Sequence, residues 1–348
     1  MAVGDFNNDG ILDLVVAQPQ STGSNSSPGK ILLLLGKGDG TFATGNTATT
    51  GDGPSSIAVG DFNGDGNADI AVTGTPYTTS STPQQSTVTV LLGNGQGSFT
   101  TGSSNTVGYG ADKVIAQDFN GDGKLDFAVM NAGASTFAGS TQTILATGSV
   151  ALKLGNGNGT FSAGTSPFTA SGISNNDIYA GDFDGDGKTD LLVSTDYNGQ
   201  YRVLFGNGDA TFRNAADFHP NATYSRDAGT PIFVTDLNGD GKSDLVFGDF
   251  GLLKLLTGKG DGTFTEVSNV PGATTHPDYY ALAGGDFNQD GTPDIVTVNS
   301  DTLKANVFVT LARSTGTAQL TGVSIAGAGT HAVTATYNGD PGNSISTS

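Results

Sequence analysis

No cysteine or tryptophan occurs in these 348 residues, lysine and arginine together number 14, and Glu266 is the sole glutamate. Without cysteine there are no disulfides, thiolate metal sites or cysteine nucleophiles. The formal net charge of −19 argues against nucleic acid, whose binding needs clustered lysine and arginine to displace counterions. Anionic membrane surfaces are disfavoured for the same reason. The longest aliphatic run, ILLLL at 31–35, falls far short of the roughly 18 residues of a membrane span. Long surface helices have little to be built from, and 54 glycines point instead to many tight turns. These shortages predict an all-β chain.

What is plentiful is aspartate, and it recurs in a pattern. Six stretches, GDFNNDGILDLVV, GDFNGDGNADIAV, QDFNGDGKLDFAV, GDFDGDGKTDLLV, TDLNGDGKSDLVF and GDFNQDGTPDIVT, have their first aspartates at Asp5, Asp61, Asp118, Asp182, Asp236 and Asp286. The intervals run from 50 to 64 residues, which indicates a repeat architecture. Between the copies lies a second signature, LLGKGDGTF and its relatives, ending at Phe42, Phe99, Phe161, Phe212 and Phe264. Each unit reads as four short strands. In the second, SSIAV leads into the Asp-rich loop and DIAV leaves it, VTVLLG follows, and Phe99 opens the fourth strand after the glycine turn NGQG. Four-stranded units at this spacing suit the blades of a β-propeller, with a β-solenoid of shorter repeats as the rival.

The loops follow D-x-[DN]-x-D-G-x-x-D. Oxygens at positions one, three, five and nine, with the backbone carbonyl of position seven, are the hard donors that calcium prefers, and the glycine at six permits the sharp turn. The candidate ligands are Asp5, Asn7, Asp9, Ile11 and Asp13, then Asp61, Asn63, Asp65, Asn67 and Asp69, and Asp118, Asn120, Asp122, Lys124 and Asp126. They continue with Asp182, Asp184, Asp186, Lys188 and Asp190, then Asp236, Asn238, Asp240, Lys242 and Asp244, and Asp286, Asn288, Asp290, Thr292 and Asp294. Imidazole and thiolate are absent from every copy, which argues against zinc and copper. Magnesium demands a stricter octahedron. An EF-hand would need glutamate at position twelve, where the chain has Val16, Val72, Val129, Val193, Phe247 and Thr297. The competing reading is a set of Asp-rich turns whose carboxylates bond to backbone N–H groups. Of 33 acidic residues 19 lie in the loops, and six divalent ions would bring the formal charge from −19 to −7.

The double signature resembles the FG-GAP and VCBS repeats of integrin-α-like propellers over about residues 1 to 313. That resemblance implies a propeller, usually seven-bladed, with calcium in the Asp loops and partner binding on the opposite face. Six motifs are visible here. The first unit lacks most of its first strand, and the last ends in VFVTLARSTG without a glycine turn. The propeller is expected over residues 1–316. Residues 317–348 resemble the last strands of a bacterial immunoglobulin-like repeat, on the strength of His331, Val333, Ala335, Tyr337, Gly339 and Asp340. Alternatively, residues 317–325 supply the missing outer strand of the last blade. With Met1 running directly into AVGDF, the chain reads as a piece of a longer exported protein, and calcium loops of this kind suit the millimolar levels outside cells.

An enzyme would need convergent chemistry beyond the loops. His219, His276 and His331 are scattered, and no HExxH or Ser/His/Asp pattern is present. Asp112, Asp177, Asp227 and Asp278, which precede the loops, are candidates for a glycosidic acid pair, against the alternative of solvated or turn-capping aspartates. The connections opposite the Asp loops hold Tyr77, Tyr109, Tyr197, Tyr224 and Tyr279 with His219, Arg226 and His276, and aromatics in polar loops suit glycan or protein contact. The sequence therefore predicts a calcium-binding extracellular propeller, with up to six ions, acting in adhesion or recognition. A calcium-dependent lyase or glycosidase, or a passive spacer, is the alternative.

Overall fold

The computed structural model describes residues 1–18, 29–76, 83–138, 141–170, 177–195, 200–218, 232–249, 252–267, 279–285, 293–301, 304–310, 336–337 and 346–347. Among them the chain is all-β, and no helix is long and apolar enough to cross a membrane. Two compact units are present: Met1–Gly229 with Lys259–Thr263, and Thr230–Gly258 with Phe264–Ser348.

In the first unit, blade one is β1 (Ala2–Gly4), β2 (Asp13–Gln18), β3 (Lys30–Gly36) and β4 (Phe42–Thr49), antiparallel and in chain order. Blade two repeats this with β5 (Pro54–Gly60), β6 (Asp69–Gly74), β7 (Thr87–Gly93) and β8 (Phe99–Thr106). Blade three is β9 (Ala111–Gln117), β10 (Asp126–Asn131), β13 (Ser149–Gly155) and β14 (Phe161–Ala163), with β15 (Phe168–Thr169) also on β13. A separate hairpin, β11 (Ala134–Ala138) and β12 (Thr141–Ala146), is inserted between its second and third strands. Blade four is β16 (Ile178–Gly181), β17 (Asp190–Ser194), β18 (Tyr201–Gly206) and β19 (Phe212–Phe218).

In the second unit, β20 (Ile232–Thr235), β21 (Asp244–Asp249), β22 (Leu252–Gly258) and β23 (Phe264–Val267) form a further blade. A three-stranded sheet follows, β24 (Tyr279–Gly285), β25 (Asp294–Asp301) and β26 (Lys304–Thr310). The tail contributes one short pair, β27 (Thr336–Tyr337) with β28 (Ser346–Thr347); the rest of 317–348 lies outside the described residues.

The burial pattern explains why strand two of a blade is continuously apolar while strand four is not. Every residue of β6 and β10 is buried, because blades pack on both faces of these strands, whereas β8 is exposed or half-buried throughout. The cores lie between successive blades of the first unit. Val15, Ile31 and Leu33 of blade one meet Ile70, Val72 and Leu91 of blade two. Val88 and Val90 meet Val114, Phe127 and Val129 in the next interface, and Met130, Val150 and Leu152 meet Ile178, Leu191 and Val193 in the third.

Candidate metal centre

Each Asp loop joins strand one to strand two of its blade, and one hydrogen-bond network recurs in all five described copies. In the second, the first aspartate accepts the N–H of the glycine at position six, Gly66 to Asp61 Oδ2 at 2.8 Å. Asn63 Oδ1 accepts from Asp65 N at 3.0 Å, and Asp65 Oδ1 from Asn67 N at 2.8 Å. The glycines at position six, Gly10, Gly66, Gly123, Gly187 and Gly241, have φ between 79° and 83°, and an added Cβ there would meet nothing within 4 Å. Backbone conformation, and not crowding, therefore demands glycine at this point.

The ninth position plays a second role. Asp13, Asp69, Asp126, Asp190 and Asp244 are fully buried. Each takes the N–H of position two on one oxygen and the N–H of the glycine ending strand three on the other, as Asp69 does from Phe62 at 2.9 Å and Gly93 at 2.7 Å. That glycine has no room for a side chain: a Cβ on Gly93 would lie 2.2 Å from the Ala68 carbonyl oxygen. The sequence marked these aspartates as ligands. The reading of these loops as turns with carboxylates bonded to backbone N–H groups foresaw partners such as Phe62, but nothing in the sequence pointed to Gly93, which lies 24 residues away from Asp69.

Burial pushes the carboxyls of Asp69 and Asp190 up to about 6, against the opposing pull of their backbone hydrogen bonds. Asp126 and Asp244 are raised for the same reason. A neighbouring cation would relieve this cost. In the fourth loop, carboxylate oxygens of Asp182, Asp184 and Asp190 all lie within 4.8 Å of one another. In the other loops position three is asparagine, which offers an amide oxygen instead. The donors are oxygens throughout, a set that fits a hard divalent cation such as calcium. Two cations of the protein approach the fourth loop: Lys188 Nζ lies 2.7 Å from Asp186 Oδ2, and the Arg213 guanidinium pairs with Asp184 Oδ2. In the third and fifth loops Lys124 and Lys242 lie 3.4 and 4.0 Å from Asp122 and Asp240. The loop at Asp286, Asn288, Asp290 and Thr292 lies outside the described residues, and Asp294 is placed only as the first residue of β25.

The glycine turns sit against the loops. Gly97 N donates to Phe6 O at 2.9 Å, Gly159 N to Phe62 O at 3.0 Å and Ala210 N to Phe119 O at 2.9 Å, so each turn caps the loop of the preceding blade. Ring pairs follow the same rule, with centroids 5.5 Å apart for Phe6 and Phe99, 5.7 Å for Phe62 and Phe161, and 6.2 Å for Phe119 and Phe212.

At the other end of the strands, Tyr109 is half-buried beside blade three, while Tyr77, Tyr197, Tyr224, Arg226, His219 and His276 lie outside the described residues, and only the backbone of Tyr279 is described. Of the four aspartates considered for acid chemistry, Asp227 and Asp278 also lie outside them. Asp177 is engaged: Tyr201 and Tyr179 donate to it at 3.1 and 3.4 Å, and Lys113 Nζ lies 3.7 Å away, over the Tyr179 ring. Burial brings the Lys113 amine down to about 8 despite Asp177, and raises the Tyr201 phenol. Two oxygens at this end, Asn131 Oδ1 and Thr195 Oγ1, are buried without a hydrogen-bond partner among the described residues.

Four-stranded antiparallel blades, each with an Asp-rich loop between its first two strands, define a β-propeller architecture. The family model for the FG-GAP-like repeat matches residues 5–72, 143–193, 182–247 and 236–297, and the chain belongs to that family. Among solved structures it is similar to a lectin of Agrocybe aegerita, described as specifically recognising non-reducing terminal N-acetylglucosamine, with a TM-score of 0.55 and 19% identity over 88% of this chain and 79% of that one. It is also similar to a functionally unknown protein of Desulfotomaculum acetoxidans, with a TM-score of 0.51 and 9% identity over 80% and 75% of the two chains. At these identities the likeness is one of fold. No match was found among curated proteins.

Proposed function

We propose that the chain is a calcium-stabilised, extracellular recognition module that holds a glycan or protein partner on the ends of the blades away from the Asp loops. The observation that carries this reading is the convergence of Asp182, Asp184 and Asp190 within 4.8 Å, inside a loop whose backbone network recurs across the repeats. Such crowded carboxylates need positive charge among them. The residues that would hold the ion in each loop are those at positions one, three and five, with the carbonyl of position seven and the free lone pairs of position nine. The ion would supply charge neutralisation and a cross-link within the loop, standing in for the disulfides this chain cannot make.

Support for a glycan comes from the lectin of similar fold. The loop end is nearly the same from blade to blade, and so offers little for discrimination. Propeller over 1–316, export, and a longer parent chain belong to the same proposal. A glycan array run with and without chelator tests it: calcium-dependent binding to a defined set of sugars is expected. Absence of binding to any glycan, together with capture of none by the calcium-loaded protein in solution, would turn the reading towards a protein partner or a spacer.

A further inference from the structure

Position three is aspartate only in the fourth loop; the others carry Asn7, Asn63, Asn120, Asn238 and Asn288. The second residue of strand four is arginine only in the same blade; the equivalents are Ala43, Thr100, Ser162 and Thr265. The two exceptions find each other in space. Arg213 pairs with Asp184 Oδ2, and its guanidinium lies 4.1 Å from the centroid of the Phe205 ring. Asp184 Oδ1 already accepts the N–H of Asp186 at 3.2 Å. Its other oxygen is the one that Arg213 holds, so the guanidinium draws on the same carboxylate that a metal would use.

We propose that Arg213 is a built-in counter-ion that competes with calcium for Asp184, so that the fourth loop takes calcium less tightly than its three convergent carboxylates alone would allow. This rests on the reading of the Asp loops as calcium sites. A divalent ion among Asp182, Asp184 and Asp190 would stand close to a guanidinium that cannot lose its proton, so the two repel, and Lys188 on Asp186 adds to the repulsion. As the loop fills, Arg213 leaves Asp184. Its side chain is already 58% exposed, so it moves into solvent beside the glycine turn without unpacking a core. The extra carboxylate strengthens the loop for a cation, and the arginine supplies that cation when calcium is scarce.

Calcium titration of the whole chain by calorimetry, with nitrogen NMR of the arginine Nε–H groups, tests this. Asp182→Asn should remove one class of sites and so identify the fourth loop. Arg213→Gln should tighten that class about 1.5- to fivefold, the range in which an exposed ion pair acts. Its NMR signal, assigned by its loss in the same variant, should shift as that class fills. Asp184→Asn, which restores the asparagine of the other loops, should abolish the effect of Arg213→Gln. An Arg213→Gln variant that binds calcium equally or less tightly, or an Arg213 signal that stays put while the fourth loop fills, overturns the proposal and leaves the other sites intact. If the wild type takes up no calcium, both readings fall together.

Discussion

The aspartates at position nine show how a single residue can hold a blade together and strain it at once. Asp69 accepts two backbone N–H groups in full burial, so asparagine there, with only one acceptor, would leave one of them unsatisfied. Asp69→Asn should cost about 1 to 3 kcal/mol in urea denaturation, whereas Asp39→Asn, on an exposed turn, should fall within about 0.5 kcal/mol. The same burial sets the pH response. Because the Asp69 and Asp190 carboxyls are raised to about 6 in the fold, the folded chain takes up protons between pH 6 and about 4 that the unfolded chain does not. Stability in chelator should therefore rise as pH falls through that window. Below it the exposed carboxyls that are held down, such as Asp65 and Asp122, begin to protonate and the gain reverses. Thermal melts from pH 7.5 to 3 check this, and a melting temperature that only falls on acidification would contradict it.

At the scale of strands and turns, the phenylalanines of the two signatures couple one blade to the next. Phe62 is buried, 5.7 Å from Phe161 in the following blade. Phe62→Ala should cost about 3 to 5 kcal/mol. A double-mutant cycle with Phe161→Ala should return a coupling of about 0.5 to 1.5 kcal/mol, and a coupling of zero would mean that the two rings serve separate cores. Strand order, the Asp loop between strands one and two, and the fourth strand opening at phenylalanine were all legible, because turn chemistry and buried strands leave strong local marks. The β11–β12 hairpin was not: NAGASTFAGSTQTILATG reads as a connection, since its strands are short and polar and carry no Asn-Gly or Asp-Gly turn. The pairing of Arg213 with Asp184 was also passed over, although the two unmatched residues stood in the aligned repeats. Only the fold brings residues 29 apart into one ion pair.

For the molecule as a whole, calcium loops would act as distributed staples. Each site filled tenfold above its dissociation constant adds about 1.4 kcal/mol, so several rival the roughly 5 to 15 kcal/mol of an ordinary domain. Excess chelator should lower the melting temperature markedly; an unchanged curve would count against metal in the loops. Tyr109→Ala, at the far end of the strands, should weaken partner binding more than it weakens the fold. Equal losses in both would make Tyr109 a packing residue. The capping bonds, meanwhile, all run in one direction, from the turn of a later blade to the loop of an earlier one. A chain made from its N-terminus therefore finishes each loop only when the following blade has emerged, so that assembly is vectorial, with one unfinished loop at the growing end. The same polarity defines what can be cut out: excising residues 61 to 117, one loop-to-loop period, would bring the Gly159 turn onto Phe6 in place of the Gly97 turn, whereas removing half a period, a loop without its turn or a turn without its loop, would break the alternation on which the caps depend.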